Sequence, residues 1–108
     1  MAVSEEFIEY VCGQMQGAGE IRSRKMFGGC SLYCNGKVVG LITDDCLYIK
    51  PTNAGRQFIG TPAEAPPYEG AKPYFVVEDE LENAEWLTEL VRLTELELPK
   101  PRRKQLRC

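Results

Sequence analysis

The chain has 108 residues, 13 of them basic and 16 acidic, and it contains no histidine. This length is that of one domain, and a chain of this size buries roughly two thirds of its unfolded surface without a metal or a disulfide. The absence of histidine excludes an imidazole base, a Ser-His-Asp or Cys-His nucleophile pair, and a histidine ligand for zinc.

The N-terminal segment and the cysteines indicate the cellular compartment. The first fifteen residues carry three glutamates and no lysine or arginine, which is the opposite of a secretory leader. No apolar run approaches the roughly 18 residues that a membrane span needs. The odd number of cysteines, five, fits a reducing compartment better than a secreted disulfide framework. We therefore expect a cytoplasmic protein with no membrane contact.

A helix is predicted first and a run of strands second. Ser4 is a suitable N-cap for the helix, and Gly17 and Gly19 mark its end. The strands are predicted at residues 21–27, 31–34, 37–43 and 46–50. Asn35-Gly36 is the strongest short hairpin signal, and Asp44-Asp45 supplies a second turn. Strands joined by such short turns form an antiparallel meander.

The second half of the chain predicts a short helix, one more strand and a closing helix. Residues 61–73 contain four prolines and are predicted to be an irregular loop. The predicted elements are a helix capped by Thr52 and ending near Ile59, a strand at 74–77, and a helix capped by Asn83 and running to about Leu98. We expect Trp86 and Leu90 of the last helix to form a core with Met26 and Phe27. The fold class is therefore α+β: a helix, an antiparallel sheet of about five strands and a closing C-terminal helix in two layers.

The charge divides the chain into a folded domain, residues 1–98, and a basic tail, residues 99–108. The domain holds 8 basic and 16 acidic residues, whereas the tail holds no acid. We expect the tail to be disordered because it has almost nothing apolar to bury. Its cations could neutralise nucleic-acid phosphates or could simply increase solubility. The five cations are Lys100, Arg102, Arg103, Lys104 and Arg107.

No residue pattern predicts a catalytic or cofactor site. In an extended strand Cys30 and Cys34 lie about 13 Å apart, well beyond the roughly 7 Å that a disulfide allows. We therefore interpret Cys30, Cys34 and Cys46 as buried, reduced, small hydrophobic residues, with zinc or redox chemistry as the alternative. The carboxylates are typical of turns and helix N-termini, and no glycine loop of the phosphate-binding type is present. We predict no catalytic residue, no metal and no cofactor.

A set of short motifs resembles a known bacterial family. The sequence R-K-M-F-G-G is followed by Tyr33, by Asn35-Gly36, by L-Y-I-K and by P-Y-F, in the order and spacing of the N-terminal domain of TfoX/Sxy competence regulators. The resemblance covers residues 5–98. The motif positions, functional or structural, are Arg24, Lys25, Met26, Phe27, Gly28, Gly29, Tyr48, Lys50 and Tyr74.

This resemblance implies a cytoplasmic bacterial α+β domain whose topology is similar to secretion-chaperone-like domains, which bind protein partners. The family regulators act in transcription of DNA-uptake genes with a cyclic-AMP receptor protein and without known catalysis. They carry a second, helical domain where this chain has its basic tail, so the resemblance implies a standalone N-terminal-type module. We expect a non-enzymatic, transcription-associated accessory protein with a protein partner. A nucleic-acid binder acting through the tail, a homodimer, and an unrecognised enzyme or metal protein stay open as alternatives.

Overall fold

The computed structural model describes residues 5–26, 29–43 and 46–99. The three helices are α1 (Glu5–Met15), α2 (Asn53–Ile59) and α3 (Ala84–Glu97). The six strands are β1 (Ile21–Met26), β2 (Gly29–Cys34), β3 (Lys37–Thr43), β4 (Cys46–Ile49), β5 (Glu64–Ala65) and β6 (Tyr74–Val77). Short 3₁₀ turns follow α1 at Gln16–Ala18 and precede α3 at Asp79–Glu82. None of the helices in these ranges is long and apolar enough to cross a membrane.

The strands form one antiparallel sheet in the order β1-β2-β3-β4-β6-β5. The α+β class and the meander are confirmed. The expectation of about five strands, with an irregular loop over 61–73, missed β5. Glu64 and Ala65 pair with Phe75 and Tyr74, and the Val76 amide donates to the Ala63 carbonyl at 2.8 Å. A two-residue strand gives no hydrophobic alternation, so the sequence pattern could not reveal it.

The Asn35-Gly36 turn joins β2 and β3 as predicted. Asn35 has a φ of 54° and Gly36 a φ of 86°, and two consecutive positive φ values define the type I′ turn that matches the twist of a hairpin. Beside this turn Cys34 pairs with Lys37. The register then shifts between Leu32 and Tyr33, which is a β-bulge.

One face of the sheet is covered by α1 and α3, and the core lies between the two layers. Every second strand residue points to this side, so Leu32, Ile49 and Phe75 are fully buried. The helices pack their apolar faces against this side of the sheet. The buried helical residues are Ile8, Val11, Met15, Leu87, Leu90 and Val91.

Trp86 lies at the margin of this core. It is half-buried and packs against α2, with its ring 5.5 Å from that of Phe58. The predicted core position of Leu90 is confirmed, since Leu90 is fully buried. Phe27 and the Met26 side chain lie outside the described residues.

Side-chain caps fix the starts of α2 and α3. The Thr52 hydroxyl accepts a hydrogen bond from the Gly55 amide at 3.0 Å, and the Asn83 side-chain oxygen accepts one from the Trp86 amide at 3.1 Å. Both caps were predicted, and both satisfy a backbone donor that the first turn of a helix leaves unpaired. The predicted cap at Ser4 falls outside the described residues.

A shielded ion pair connects the β2–β3 hairpin to the end of α3. The Lys37 ammonium lies 3.1 Å from a Glu95 carboxylate oxygen, and the two side chains are only 12% and 14% exposed. The same ammonium donates to the carbonyls of Glu95 at 2.8 Å and Leu98 at 3.0 Å. Lys37 therefore supplies donors to a helix C-terminus, where the carbonyls are otherwise unpaired.

Candidate functional site

The sheet surface opposite the helices is named here the open face. The pairing places Arg24, Ser31, Leu41, Tyr48 and Val76 in one row across the strands. The neighbouring row runs through Arg22, Tyr33, Val38, Lys50 and Tyr74. Within these described strands no carboxylate points to this side, because Glu64 of β5 pairs with Phe75, which faces the helices. The open face is therefore basic and aromatic in a domain that is acidic overall.

Four of the family-motif residues lie on this face: Arg24, Tyr48, Lys50 and Tyr74. Arg24 is three strands away from Tyr48, a distance of about 14 Å. Lys25 does not join them, because it points to the helix side of β1 and pairs with Glu5. For Met26 the structure describes only the backbone, which pairs with Gly29. Phe27, Gly28 and the five tail cations lie outside the described residues.

Gly29 has a structural role in the sheet. A Cβ atom at this position would lie 2.6 Å from the Ile42 carbonyl oxygen and 3.0 Å from a methyl carbon of Thr43. The first distance is shorter than a carbon–oxygen contact permits, so a larger residue would push β2 away from β3. This close approach accounts for one motif position by folding alone.

The cations on the open face differ in their partners. The exposed Arg22 guanidinium donates to the Glu20 carboxylate at 2.7 and 3.1 Å. Arg24 is exposed and forms no ion pair within residues 5–26, 29–43 and 46–99, and the same holds for the half-buried Lys50. The open face thus presents cations whose charge no described carboxylate neutralises.

A depression of about 310 Å³ lies on the β1 side of this face, lined by Arg22, Ser23, Arg24, Tyr33 and Gly36. The opposite side is partly closed by the loop before β6. There the Thr43 hydroxyl donates to the Pro67 carbonyl at 3.0 Å. Burial and the neighbouring Tyr68 raise the pKa of Tyr74. Access to the open face is therefore greatest along β1, where Arg22 and Arg24 are exposed, whereas Ser31 and Leu41 in the middle of the face are buried.

Strand β1 is also an edge of the sheet, and half of its backbone points outward. Antiparallel strands alternate residues that bond to the neighbour with residues that face away. The Asn35 amide bonds to the Glu20 carbonyl at 2.8 Å, which fixes the phase of this alternation. It follows that Ile21, Ser23 and Lys25 direct their N–H and C=O groups away from β2.

Two of the three cysteines singled out from the sequence are buried as predicted, Cys30 with 1% and Cys34 with 0% exposure. Cys46 is only half-buried. Cys34 and Cys46 lie at opposite ends of the sheet, since they pair with Lys37 and Thr43, and burial raises the pKa of the Cys30 and Cys34 thiols.

Sequence reasoning missed a small cluster of polar groups beneath α1. Ser23 lies beside the thiols of Cys12 and Cys30. Burial dominates and raises the pKa of both thiols, and Ser23 lowers this pKa slightly. Cys12 follows Ile8 by four residues, so the helical period could have placed it on the apolar face of α1. No group of three or more potential metal ligands converges anywhere in the part of the chain that the structure describes.

A second depression, of about 180 Å³, lies beside Trp86. Its polar lining consists mainly of Glu78, Asp79 and Glu80. These carboxylates lie in and next to the 3₁₀ turn that precedes α3, near a helix N-terminus, where negative charge is stabilised. They surround no described cation, and they form a solvated acidic end of the sheet.

The sequence analysis also missed Arg22 on the open face and the outward backbone groups along the β1 edge. Strand alternation carries the signal that could have found them: within β1–β4, Arg22, Arg24, Tyr33 and Tyr48 share one side once the registers are known. The registers depend on the bulge between Leu32 and Tyr33, and no sequence pattern predicts that bulge.

Comparison with known proteins agrees with this architecture. The model of the TfoX N-terminal domain family matches residues 13–97. The chain is also 38% identical over 102 residues to an uncharacterized 12.7 kDa protein from the trpE 5′ region of Spirochaeta aurantia, covering 94% of this chain and 89% of that protein. The family match spans the sheet, α2, all of α3 and only the last three residues of α1. The chain belongs to the TfoX N-terminal domain family.

Proposed function

We propose that this chain is a non-catalytic, cytoplasmic regulatory module of the competence-regulator type, which acts by binding a protein partner through the open face. The observation that carries the proposal is that Arg24, Tyr48, Lys50 and Tyr74 lie on the same side of the sheet, opposite the helices. These four residues come from three separate motifs of the family, and they share a face only in the folded sheet.

The chemistry of the open face supports binding rather than a purely structural role. Residues needed for the core point toward the helices, whereas these four point away from them. Arg24 holds an exposed charge without a described ion-pair partner. Tyrosine and arginine are enriched at protein interfaces because they combine a large contact area with hydrogen bonding. The chain contains no histidine, so the commonest general base and zinc-binding side chain is not available to it.

An affinity pull-down from the source cell tests this proposal, performed with the full chain in the presence and absence of nuclease. We expect a protein partner that survives nuclease treatment and is lost with Arg24→Glu. The matched control is Arg92→Glu, a single charge reversal on the outer side of α3. Recovery that depends on nucleic acid would contradict the proposal, as would equal recovery by the two variants.

A further inference from the structure

The accessible end of the open face has features that specify the kind of segment it would bind. We propose that β1 accepts an extended segment of the partner as an additional antiparallel strand, and that this segment alternates acidic and apolar residues. The inference rests on the proposed function and adds the chemistry of the partner to it. Three features of β1 support it: its backbone, its charge and the depression beside it.

The backbone of β1 is a template for strand addition. Ile21, Ser23 and Lys25 direct amide and carbonyl groups outward, and no backbone hydrogen bond from these groups to another element occurs within the described chain. Six residues of edge are comparable to an average strand. An edge of this length binds extended peptides by main-chain hydrogen bonds, while alternate side chains give specificity.

The charge of β1 argues against a second copy of the chain as the added strand. Antiparallel pairing of two β1 strands about Ser23 would place Arg22 of each copy opposite Arg24 of the other. Like charges directly opposite each other destabilise a strand pair. The same cations favour a strand that carries carboxylates, because arginine forms charge-assisted, often bidentate hydrogen bonds with them.

The two sides of β1 predict the alternation in the partner. On the open-face side, residues of the added strand would lie next to Arg22, Arg24 and the depression of about 310 Å³, so carboxylates fit there. One of them would compete with Glu20 for the exposed Arg22. On the helix side they would lie next to the half-buried Ile21, to Ser23 and to Lys25. Since Glu5 already neutralises Lys25, apolar side chains fit on this side.

Nuclear magnetic resonance titration of the full chain tests the inference. The probe is a capped peptide of about eight residues that alternates glutamate and valine, and the control peptide has lysine in place of glutamate. We expect the glutamate peptide to shift the amide resonances of β1 and its neighbours, and the lysine peptide to leave them unchanged. Equal shifts with both peptides, or no shift up to millimolar peptide, would overturn the inference.

Two pairs of variants separate strand addition from simple charge attraction. Arg24→Gln should lower the affinity for the glutamate peptide by about tenfold, because one charge-assisted contact is lost. Arg92→Gln should not change this affinity. Ser23→Pro removes an outward N–H without removing a β1–β2 hydrogen bond, so it should abolish binding. Ser23→Ala loses the hydroxyl but keeps the N–H, and it should bind normally. Retained binding by Ser23→Pro, with an intact spectrum elsewhere, would overturn the inference.

The variants also distinguish this inference from the proposed function. If Ser23→Pro still recovers the nuclease-resistant partner that Arg24→Glu loses, the open face binds the partner but β1 does not gain a strand, and the inference is wrong. If single-stranded DNA displaces the glutamate peptide and binds more tightly at physiological salt, the face serves nucleic acid and the inference is equally wrong. Self-association that Ser23→Pro abolishes would assign the edge to a second copy and would also overturn it.

Discussion

Lys37 is the residue whose removal should have the largest electrostatic effect on stability. Its ammonium contacts the Glu95 carboxylate and two carbonyls at the end of α3. Lys37→Met would leave these acceptors without their donor in a shielded position, so we expect the free energy of unfolding to fall by about 2–3 kcal/mol. Urea denaturation measures this loss. Lys72→Met, in the exposed 61–73 loop, is the control and should change stability by less than about 0.5 kcal/mol; equal losses would show that the ion pair contributes nothing.

Glu97 should make the free energy of unfolding depend on pH in the acidic range. Its carboxylate accepts hydrogen bonds from the Ala54 and Asn53 amides, each at 2.9 Å, and these bonds lower its pKa below the ordinary value of 4.5. A lowered pKa in the folded state stabilises the fold above about pH 4.5, and that stabilisation is lost as the pH falls through the folded pKa.

Glu97→Gln should therefore be less stable than the wild type at neutral pH and equal to it at low pH. Urea denaturation from pH 7 down to pH 3 checks this expectation, with Glu69→Gln as the control for loss of one surface carboxylate. Parallel curves for Glu97→Gln and the wild type would show that the carboxylate does not anchor the start of α2.

Features that depend on a few neighbouring residues could be predicted, and features that join distant residues could not. Asn35-Gly36 encodes its own turn, and Thr52 and Asn83 cap the helices that follow them. The ion pair of Lys37 joins it to a residue 58 positions away. Only the folded chain brings such groups together, so no local pattern indicates them.

Among the elements, α3 provides a test of where the core ends. Leu90 is fully buried, whereas Trp86 is half-buried against Phe58 of α2. Leu90→Ala should lower the free energy of unfolding by about 3–4 kcal/mol, because it leaves a cavity in a site with little room to relax. Trp86→Ala should cost about 2 kcal/mol, the loss of partial burial and one aromatic contact. Thermal and urea unfolding followed by circular dichroism compare the two variants. A larger loss of stability for Trp86→Ala would show that the centre of the core lies nearer to α2.

At the same scale, periodicity predicted the long elements and failed on the shortest one. The spacing of Ile8, Val11 and Met15 indicates α1, and all three residues are buried. Strand β5 lies between prolines in a segment whose composition is typical of a loop, and it forms because β6 offers a free edge. The composition of the open face depends on how β1–β4 pair. The sequence therefore shows the motifs, but it does not show that their residues lie on one face.

For the whole molecule, the net charge alone does not predict which charged partners the domain attracts. Residues 1–98 hold twice as many acids as bases, which predicts repulsion of any anionic partner. The sheet separates these charges: Glu5, Glu9, Glu85 and Glu89 lie on the helices, while Arg24 and Lys50 lie on the open face. An acidic partner would therefore be attracted to one side of the domain and repelled from the other, which orients it toward β1.

The basic tail makes a separate prediction about nucleic acid. Each cation that neutralises a duplex phosphate contributes about −0.9 to the slope of log affinity against log salt, so the five cations of residues 100–107 give a slope of at most about −4.5. We expect the full chain to bind DNA weakly and without sequence preference. Replacement of the five cations by glutamine keeps the chain length and should abolish this binding.

Titration of both chains with duplexes of unrelated sequence at about 50 and 200 mM salt measures the slope and the preference together. Equal DNA binding by the glutamine variant would show that the contact lies on the open face and not in the tail. Arg24→Gln should then weaken the binding of both DNA and the acidic peptide. A slope steeper than about −4.5 would likewise require cations of the domain beyond those of the tail. If only the tail binds DNA, the open face stays free for the partner, and one short chain could hold a protein and a nucleic acid at the same time.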